Sequence, residues 1–465
     1  MESMNFVESD VETTREEESY QDSSKSWFVC FVNFLAGFVC FGIHCNFGLM
    51  HRWLILVYSS GNAVTAWLGS LAFGMTFFMT PLSNALCEVT RASYVSLFGS
   101  LICIIGLVLS SFASDVSILY ITYSFCFGIG SSFAFFPTVV ALKTYFKRYL
   151  TLANGLATSG SGLGTFTLAP IIEHCLESYG IKWTYLFLAA IVLSLVISQK
   201  MLMCVEQRHK LPQDTEQQQL LIYKIKSIVF RGDLWTDKKY VVMVASMAVF
   251  HFGFFIPYVH LVFLATKKGI PTMKATMLIS YLSISSTIGK VVFGFLINFF
   301  HLNVRMVTAF SMLCIGLGNC FVPLGEDYIA ILSYAVLCGL SEGCIAGQIA
   351  VTVLETVGSN KMSQGLANLM AINAIFMMSG PPIAGFIFDK AQSYDTAFYL
   401  SGSTCTIGAI LMLMLAFIDR KTNIDQKEYS VGEVSPSQSS LDENDNSDIC
   451  RFKLSRFSLL KETSV

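Results

Sequence analysis

Apolar runs of about twenty residues recur along the chain at 27–49, 63–86, 93–113, 116–141, 150–172, 183–203, 240–265, 273–300, 304–323, 328–353, 364–388 and 397–418. A helix of that length crosses a bilayer with its backbone polar groups bonded internally, and no run alternates with the period of two of a barrel strand. An all-α membrane protein with twelve spanning helices is expected. Composition agrees, since 13% of the 465 residues are charged and 54% hydrophobic, whereas a soluble chain carries about a quarter charged residues. No charged start leads into an apolar stretch with a small-residue cleavage site, so no signal peptide is expected. The 14 cysteines lie mostly inside the runs, without a CxxC pair or a Cys/His cluster, as helix-packing residues do. No metal is expected.

Lysine and arginine set the orientation. Counted with the adjoining helix ends, one set of connecting segments holds 23 of them and the other 6, which places both termini in the cytoplasm. The chain then divides into an acidic disordered tail (1–26), a six-helix half (27–203), a cytoplasmic linker loop (204–239), a second six-helix half (240–418) and a cytoplasmic tail (419–465). Two six-helix halves joined by a basic loop resemble the major facilitator fold, in which substrate binds near the midplane between the halves. A channel or a bilayer-embedded enzyme is the alternative at this helix count. No GxxxxGK[ST] phosphate loop occurs, and GSGLG at 160–164 lies in an apolar run with no strand before it. No cofactor and no enzymatic activity are expected.

The stretch KTYFKRYLTLANGLATSGSGLGT, 143–165, joins a basic loop to a helix face almost without side chains. Lys143, Tyr145, Lys147 and Arg148 form the cytoplasmic motif; Gly155, Gly160, Gly162 and Gly164 let another helix approach closely. Glu88 and Arg91, after the second run, serve as a cytoplasmic latch or a solvated pair. Within the runs, a central charge costs roughly 2.5–3.5 kcal/mol, so Lys290 in the eighth and Glu342 in the tenth invite a functional reading. They are expected to line the central cavity as partners when it is empty and as ligands when it is filled, a purely stabilising pair being the alternative. His44 and His260 occupy equivalent places in the first and seventh runs and are expected to face each other above that pair, with helix-to-helix hydrogen bonding as the alternative. His251 and His174 look unremarkable. Pro81, Pro137, Pro170 and Pro257 each remove a backbone donor, and Gly380, Pro381 and Pro382 mark the sharpest expected hinge.

Taken together, YFKRYLTLANGLATSGS (145–161), FGIH (41–44), AWLGSLAFGMTFFMTPL (66–82), SFAFFPTVV (132–140), PYVHL (257–261), SSTIGKVVFG (285–294), GLSEGC (339–344) and GPPIAG (380–385) resemble the monocarboxylate transporter family over roughly 22–420. The resemblance is greatest to its thyroid-hormone and aromatic-amino-acid branch. It implies that His44, His260, Lys290 and Glu342 stand at that branch's substrate-binding histidines, helix 8 arginine and helix 10 aspartate. It also implies facilitated transport without a sodium or proton gradient, because the lysine and aspartate of proton-coupled lactate carriers are replaced by Cys45 and Ser286. Three departures stand out. Lysine replaces a forked guanidinium at 290, glutamate replaces aspartate at 342, and the family's opening Asp-Gly-Gly-x-Gly-Trp keeps only its ends, Asp22 and Trp27.

A facilitative transporter of the plasma membrane for aromatic amino acids or thyroid-hormone-like tyrosine derivatives is therefore expected. Its partners are a small monocarboxylate or zwitterion and the lipid bilayer. The alternatives are a carrier of another small organic anion or zwitterion, with or without proton coupling, and a non-transporting receptor of the same fold. The ending Glu462-Thr463-Ser464-Val465 fits a PDZ-domain ligand, and RFKLSRFSLLK, 451–461, fits an amphipathic helix on the inner leaflet or an ordinary disordered tail.

Overall fold

The structure, a computed structural model, describes residues 22–59, 62–205, 234–391 and 395–432. Nearly all of the expected acidic tail, most of the 204–239 linker, the 451–461 stretch and the PDZ-type ending lie outside the described residues. Contacts divide the chain into Met1–Ala416, which contains the helix bundle, and Phe417–Val465, whose described part is helical.

Helix α1 (Ser24–Cys45) pauses at Asn46 before α2 (Phe47–Tyr58) continues it, so the first run is helical well past its expected end. Asn46 accounts for the pause: its Nδ2 donates to the Gly42 carbonyl at 2.7 Å and to the Thr165 carbonyl at 2.9 Å. The second run is likewise two helices, α3 (Asn62–Phe78) and α4 (Thr80–Val89), because Pro81 opens α4 and has no N–H to continue α3. α5 spans Ala92–Ser111; α6 (Val116–Leu119) passes through a π-helical stretch, Tyr120–Phe127, into α7 (Gly128–Tyr145). α8 (Leu150–Val205) holds two runs divided at Gly180, whose φ of 76° suits glycine alone.

The second half repeats the proline break. α9 (Lys238–Phe254) and α10 (Ile256–Lys267) are separated by Phe255, just before Pro257. α11 (Thr272–Phe300), α12 (Val304–Phe321), α13 (Tyr328–Val357), α14 (Met362–Ala391) and α15 (Asp395–Gly432) follow. α14 runs through Gly380, Pro381 and Pro382 without interruption; the breaks fall instead beside Pro81 and Pro257. Among the described residues nine helices are long and apolar enough to cross a membrane, one of them the 55-residue Leu150–Cys204 with its two runs. Phe98, Ile121, Phe299 and Phe310 are more than half exposed on the outside, as lipid-facing side chains are.

The start of α8 is the pivot of the packing. A Cβ on Gly160 or Gly164 would overlap the carbonyl oxygen of Phe34 or Phe38 on α1, and one on Gly155 would overlap the carbonyl oxygen of Lys290 on α11. Gly160 and Gly164 thus meet the backbone of α1, while Gly155, turned by roughly 140° from Gly160 about the helix axis, meets that of α11, so two sides of α8 carry the close approach its glycines predict.

The two surviving ends of the opening signature are the two that fasten it. The Asp22 carboxylate accepts the backbone N–H groups of Arg148 at 3.0 Å and Tyr149 at 3.3 Å, and the Asp22 N–H donates to the Tyr145 carbonyl at 3.0 Å. Trp27 meets Phe146 edge-on at 5.1 Å. Asp22 therefore caps the N-terminus of α8 from outside, satisfying donors that have no intrahelical acceptor and complementing the helix dipole. Asp22→Ala is expected to lose about 1 kcal/mol of stability, read as a lower melting temperature of the detergent-solubilised protein, with Asp22→Asn losing less. An unaltered melting temperature in Asp22→Ala would remove this role.

Candidate functional site

A cavity of about 460 Å³ opens between the two halves. Much of its wall is aromatic. Phe41, Phe73, Phe77 and Phe135 come from the first half, Phe254, Phe255 and Tyr258 from the second. Phe41 meets Phe135 edge-on at 4.9 Å, Phe73 meets Phe77 at 5.2 Å, and Phe254 meets Phe255 at 5.1 Å. Phe73 and Phe255 approach across the halves, 6.1 Å apart. Such rings offer flat apolar faces and polarised edges to a planar ligand.

Into this wall the structure sets both membrane charges, Lys290 from α11 and Glu342 from α13. Lys290 is only 6% exposed, and its Nζ donates to Ser161 Oγ on α8 at 2.8 Å. Glu342 accepts a hydrogen bond from Ser286 Oγ. Among the described residues no ion pair joins Lys290 to Glu342, so the expected empty-state pair is not formed. The physical reason is the helix period: Ser286 and Lys290 lie four residues apart on one face of α11, and the serine takes the carboxylate while the lysine reaches across to the other half. An ammonium has three N–H donors, and Ser161 occupies one. The site thus presents a cation and an anion that can each still take a ligand.

The histidines sort differently from expectation. His44 is buried beside the wall, its Nε2 3.0 Å from Thr76 Oγ1 and 3.2 Å from Ser131 Oγ. Its ring packs against Phe127 at 4.7 Å and Phe73 at 5.8 Å. His260 is also buried, on α10. Neither is among the described residues that line the cavity, so they do not face each other across it. His251 does line it, as do Asn154 and Asn373, none of which was singled out from the sequence. The rule that found Lys290, a polar group inside an apolar run, would also have found these had it been extended to neutral side chains. Cys45 and Ser286 both stand in the wall.

The basic motif closes one end of the bundle. Lys143 Nζ donates to Ser363 Oγ at 2.7 Å and to the Ser359 carbonyl at 3.1 Å, both in the second half. Asn84 Nδ2 donates to Gln364 Oε1 at 2.9 Å, and Thr80 Oγ1 to the Ala367 carbonyl at 2.8 Å. Glu88 accepts from Asn84 at 3.0 Å, while Arg91 lies over the Tyr94 ring at 5.7 Å. Among the described residues no ion pair links Glu88 with Arg91. Arg148 stacks on Tyr149 at 5.2 Å, and Lys147 is exposed.

Comparison with known proteins agrees with this architecture. The chain matches the Major Facilitator Superfamily over residues 27–375 and 305–444. It is 30% identical over 402 residues to monocarboxylate transporter 10 of Danio rerio, covering 85% of this chain and 79% of the relative. To the human protein of the same name it is 29% identical over 389 residues, covering 82% and 75% respectively. Among solved structures it resembles the human organic anion transporter MFSD10 (TETRAN), with a TM-score of 0.65, 11% identity, and coverage of 83% of this chain and 99% of that one, a likeness of fold. Its relatives are transporters, not enzymes. Fold, sequence and a charged cavity between two halves converge: this chain belongs to the monocarboxylate transporter family, a branch of the major facilitator superfamily of multi-pass membrane proteins.

Proposed function

We propose that this protein is a facilitative plasma-membrane transporter of aromatic amino acids or thyroid-hormone-like tyrosine derivatives, working by alternating access through twelve spanning helices with both termini in the cytoplasm. One observation carries the proposal: a lysine and a glutamate, each held by a serine rather than by the other, open onto one aromatic-walled cavity. A zwitterion places its carboxylate on Lys290 and its ammonium on Glu342. Its ring lies among Phe41, Phe73, Phe255 and Tyr258. Because the substrate brings both charges, the cavity's net charge stays the same on binding, and no accompanying ion is needed. His44 supports the wall by fixing the Phe73 ring, while Lys143, with Asn84 and Thr80, forms the gate on the cytoplasmic side. A simple carboxylate such as lactate leaves Glu342 unmatched. The second reading, a carrier of small monocarboxylates, is favoured by the relatives' family name and by the presence of a cavity cation.

Uptake of labelled tyrosine, tryptophan, triiodothyronine and lactate into cells expressing the chain tests this, at acid and neutral external pH and with or without sodium. Saturable aromatic uptake that is the same under all four conditions is expected. Lactate uptake that rises with acid would replace the proposal with the monocarboxylate reading. No transport of any of these by protein present at the surface would leave the receptor reading in its place.

A further inference from the structure

A proline in a helical run frees the carbonyl four residues before it, because it has no N–H to donate there. Inside a membrane bundle such a carbonyl needs another donor, and a hydroxyl from a neighbouring helix can supply one. Pro257 frees the carbonyl of Gly253, at the end of α9. The Phe255 N–H, two residues on, turns back to it, and Ser401 Oγ, from α15, donates to it at 2.8 Å.

Ser401 is held in its turn. A carbonyl only accepts, so the serine hydrogen points at Gly253 and the serine oxygen is left to take the Nδ2 of Asn319, on α12, at 2.8 Å. That turns the other end of the amide, Oδ1, toward the hydroxyl of Tyr334, on α13, which donates to it at 2.7 Å. Hydrogen bonds that run in one direction, from Tyr334 through Asn319 and Ser401 to Gly253, reinforce one another. All three side chains are buried, and none is among the described residues that line the cavity. Three helices behind the wall thus converge on one backbone oxygen.

The residues that follow this oxygen are the wall itself. Phe254, Phe255 and Tyr258 straddle the break between α9 and α10, and all three line the cavity. Their rings lie against one another, Phe254 to Phe255 at 5.1 Å, Phe254 to Tyr258 at 5.3 Å and Phe255 to Tyr258 at 5.6 Å, so a shift of one is passed to the others. The first half carries a local version of the joint. Pro81 frees the carbonyl of Phe77, itself in the wall, and Thr80 Oγ1 donates to it at 2.6 Å.

We propose that Ser401, anchored by Asn319 and Tyr334, is a positioning residue for the cargo: by holding the carbonyl that Pro257 frees, it fixes the break between α9 and α10 and sets Phe254, Phe255 and Tyr258 against the aromatic ring of the substrate. This rests on an aromatic zwitterion being the cargo. Ser401 acts through the backbone of α9 and touches no substrate.

Ser401→Ala, alone and combined with Pro257→Ala, separates positioning from mere support, because the second substitution restores an N–H at 257 for the Gly253 carbonyl. Tyrosine uptake by intact cells is measured at matched surface levels, with the melting temperature of the detergent-solubilised protein beside it. Ser401→Ala is expected to raise the half-saturating concentration about tenfold, with the maximal rate within about twofold, and to lower the melting temperature by about 2 °C, since it strands a buried carbonyl. In the double variant the melting temperature is expected to recover as the helix runs on through 257, while half-saturation stays high because the break that sets the rings is lost. Tyr334→Phe, which removes the outermost donor, is expected to raise half-saturation by about threefold. Unchanged half-saturation in Ser401→Ala would overturn the proposal, as would half-saturation that recovers in the double variant together with the melting temperature; both leave tyrosine uptake by the unmodified protein saturable and so leave the cargo reading standing. Absence of tyrosine uptake by the unmodified protein at the surface would overturn the cargo reading, and the positioning of a cargo ring with it.

Discussion

Lys290→Ala is expected to abolish saturable uptake of any carboxylate cargo, with the protein still present at the cell surface. Two effects add. The substitution removes the cavity cation, a hydrogen bond to a charged group being worth about 1.5–3 kcal/mol, or roughly ten- to a hundredfold in apparent affinity. It also leaves Glu342 as an uncompensated charge in a low-dielectric wall, where, among the described residues, its hydrogen-bond donor is the Ser286 hydroxyl. Glu342→Gln in the same chain relieves the second effect without the first. The double variant is therefore expected to recover thermal stability but not transport. Lys290→Arg is expected to retain transport, since a guanidinium reaches a carboxylate with two parallel N–H groups where an ammonium offers a point charge. Undiminished uptake in Lys290→Ala, measured alongside surface biotinylation, would remove Lys290 from the site.

Gly155→Ala is expected to cost nearly as much transport by a different route. At this crossing α8 of the first half meets α11 of the second backbone to backbone: a Cβ on Gly155 would overlap the Lys290 carbonyl oxygen and come within 3.4 Å of the Gly294 Cα. Neither obstacle is a side chain, so no rotamer change makes room. Overpacking of this kind costs about 1–3 kcal/mol, and here it falls on the contact that holds the halves together. The closed arrangement becomes the less favoured one, uptake falls by about tenfold or more, and Lys143 loses its acceptors at Ser359 and Ser363. Gly162 is the control. Its obstacle is the Thr287 hydroxyl, a side chain, so Gly162→Ala combined with Thr287→Ala is expected to transport normally. Thiol labelling of a cysteine introduced at Ser363 reads the change directly. Greater reactivity is expected in Gly155→Ala and unchanged reactivity in the rescued pair; equal reactivity in both would dissociate the glycine from closure.

The contrast between these residues shows what a sequence of this kind displays. Lys290 and Glu342 were visible because a charge in an apolar run is expensive wherever it points, and the cost can be assessed one residue at a time. Gly155 was visible only as a member of a small-residue face; which helix came up against it was not. His44 and His260 stand out by their equivalent places in the first and seventh runs, yet they are not among the described residues that line the cavity, whereas His251 is. Which face of α1, α9 or α10 meets the cavity depends on helix rotation. Rotation is set by neighbours, here by the Asn46 bonds to Gly42 and Thr165 on one side and by the pairing of Tyr240 with Gly365 on the other. Asn373 was overlooked because a neutral amide costs far less than a charge on entering a bilayer and is common in helix-to-helix contacts.

The sequence by itself determined that this is a helical membrane protein, because runs of about twenty apolar residues depend only on local composition. It also determined that α8 would be approached closely, since glycine leaves no side chain to prevent it. Tertiary structure decided which groups share the cavity: that Lys290 bonds Ser161 across the halves, that Ser286 and not Lys290 takes Glu342, and that His251 and Asn373 stand in the wall. Those outcomes depend on the rotation and register of helices far apart in the chain. The energy that chooses between registers comes from many small packing contacts, none of which is written at a single position.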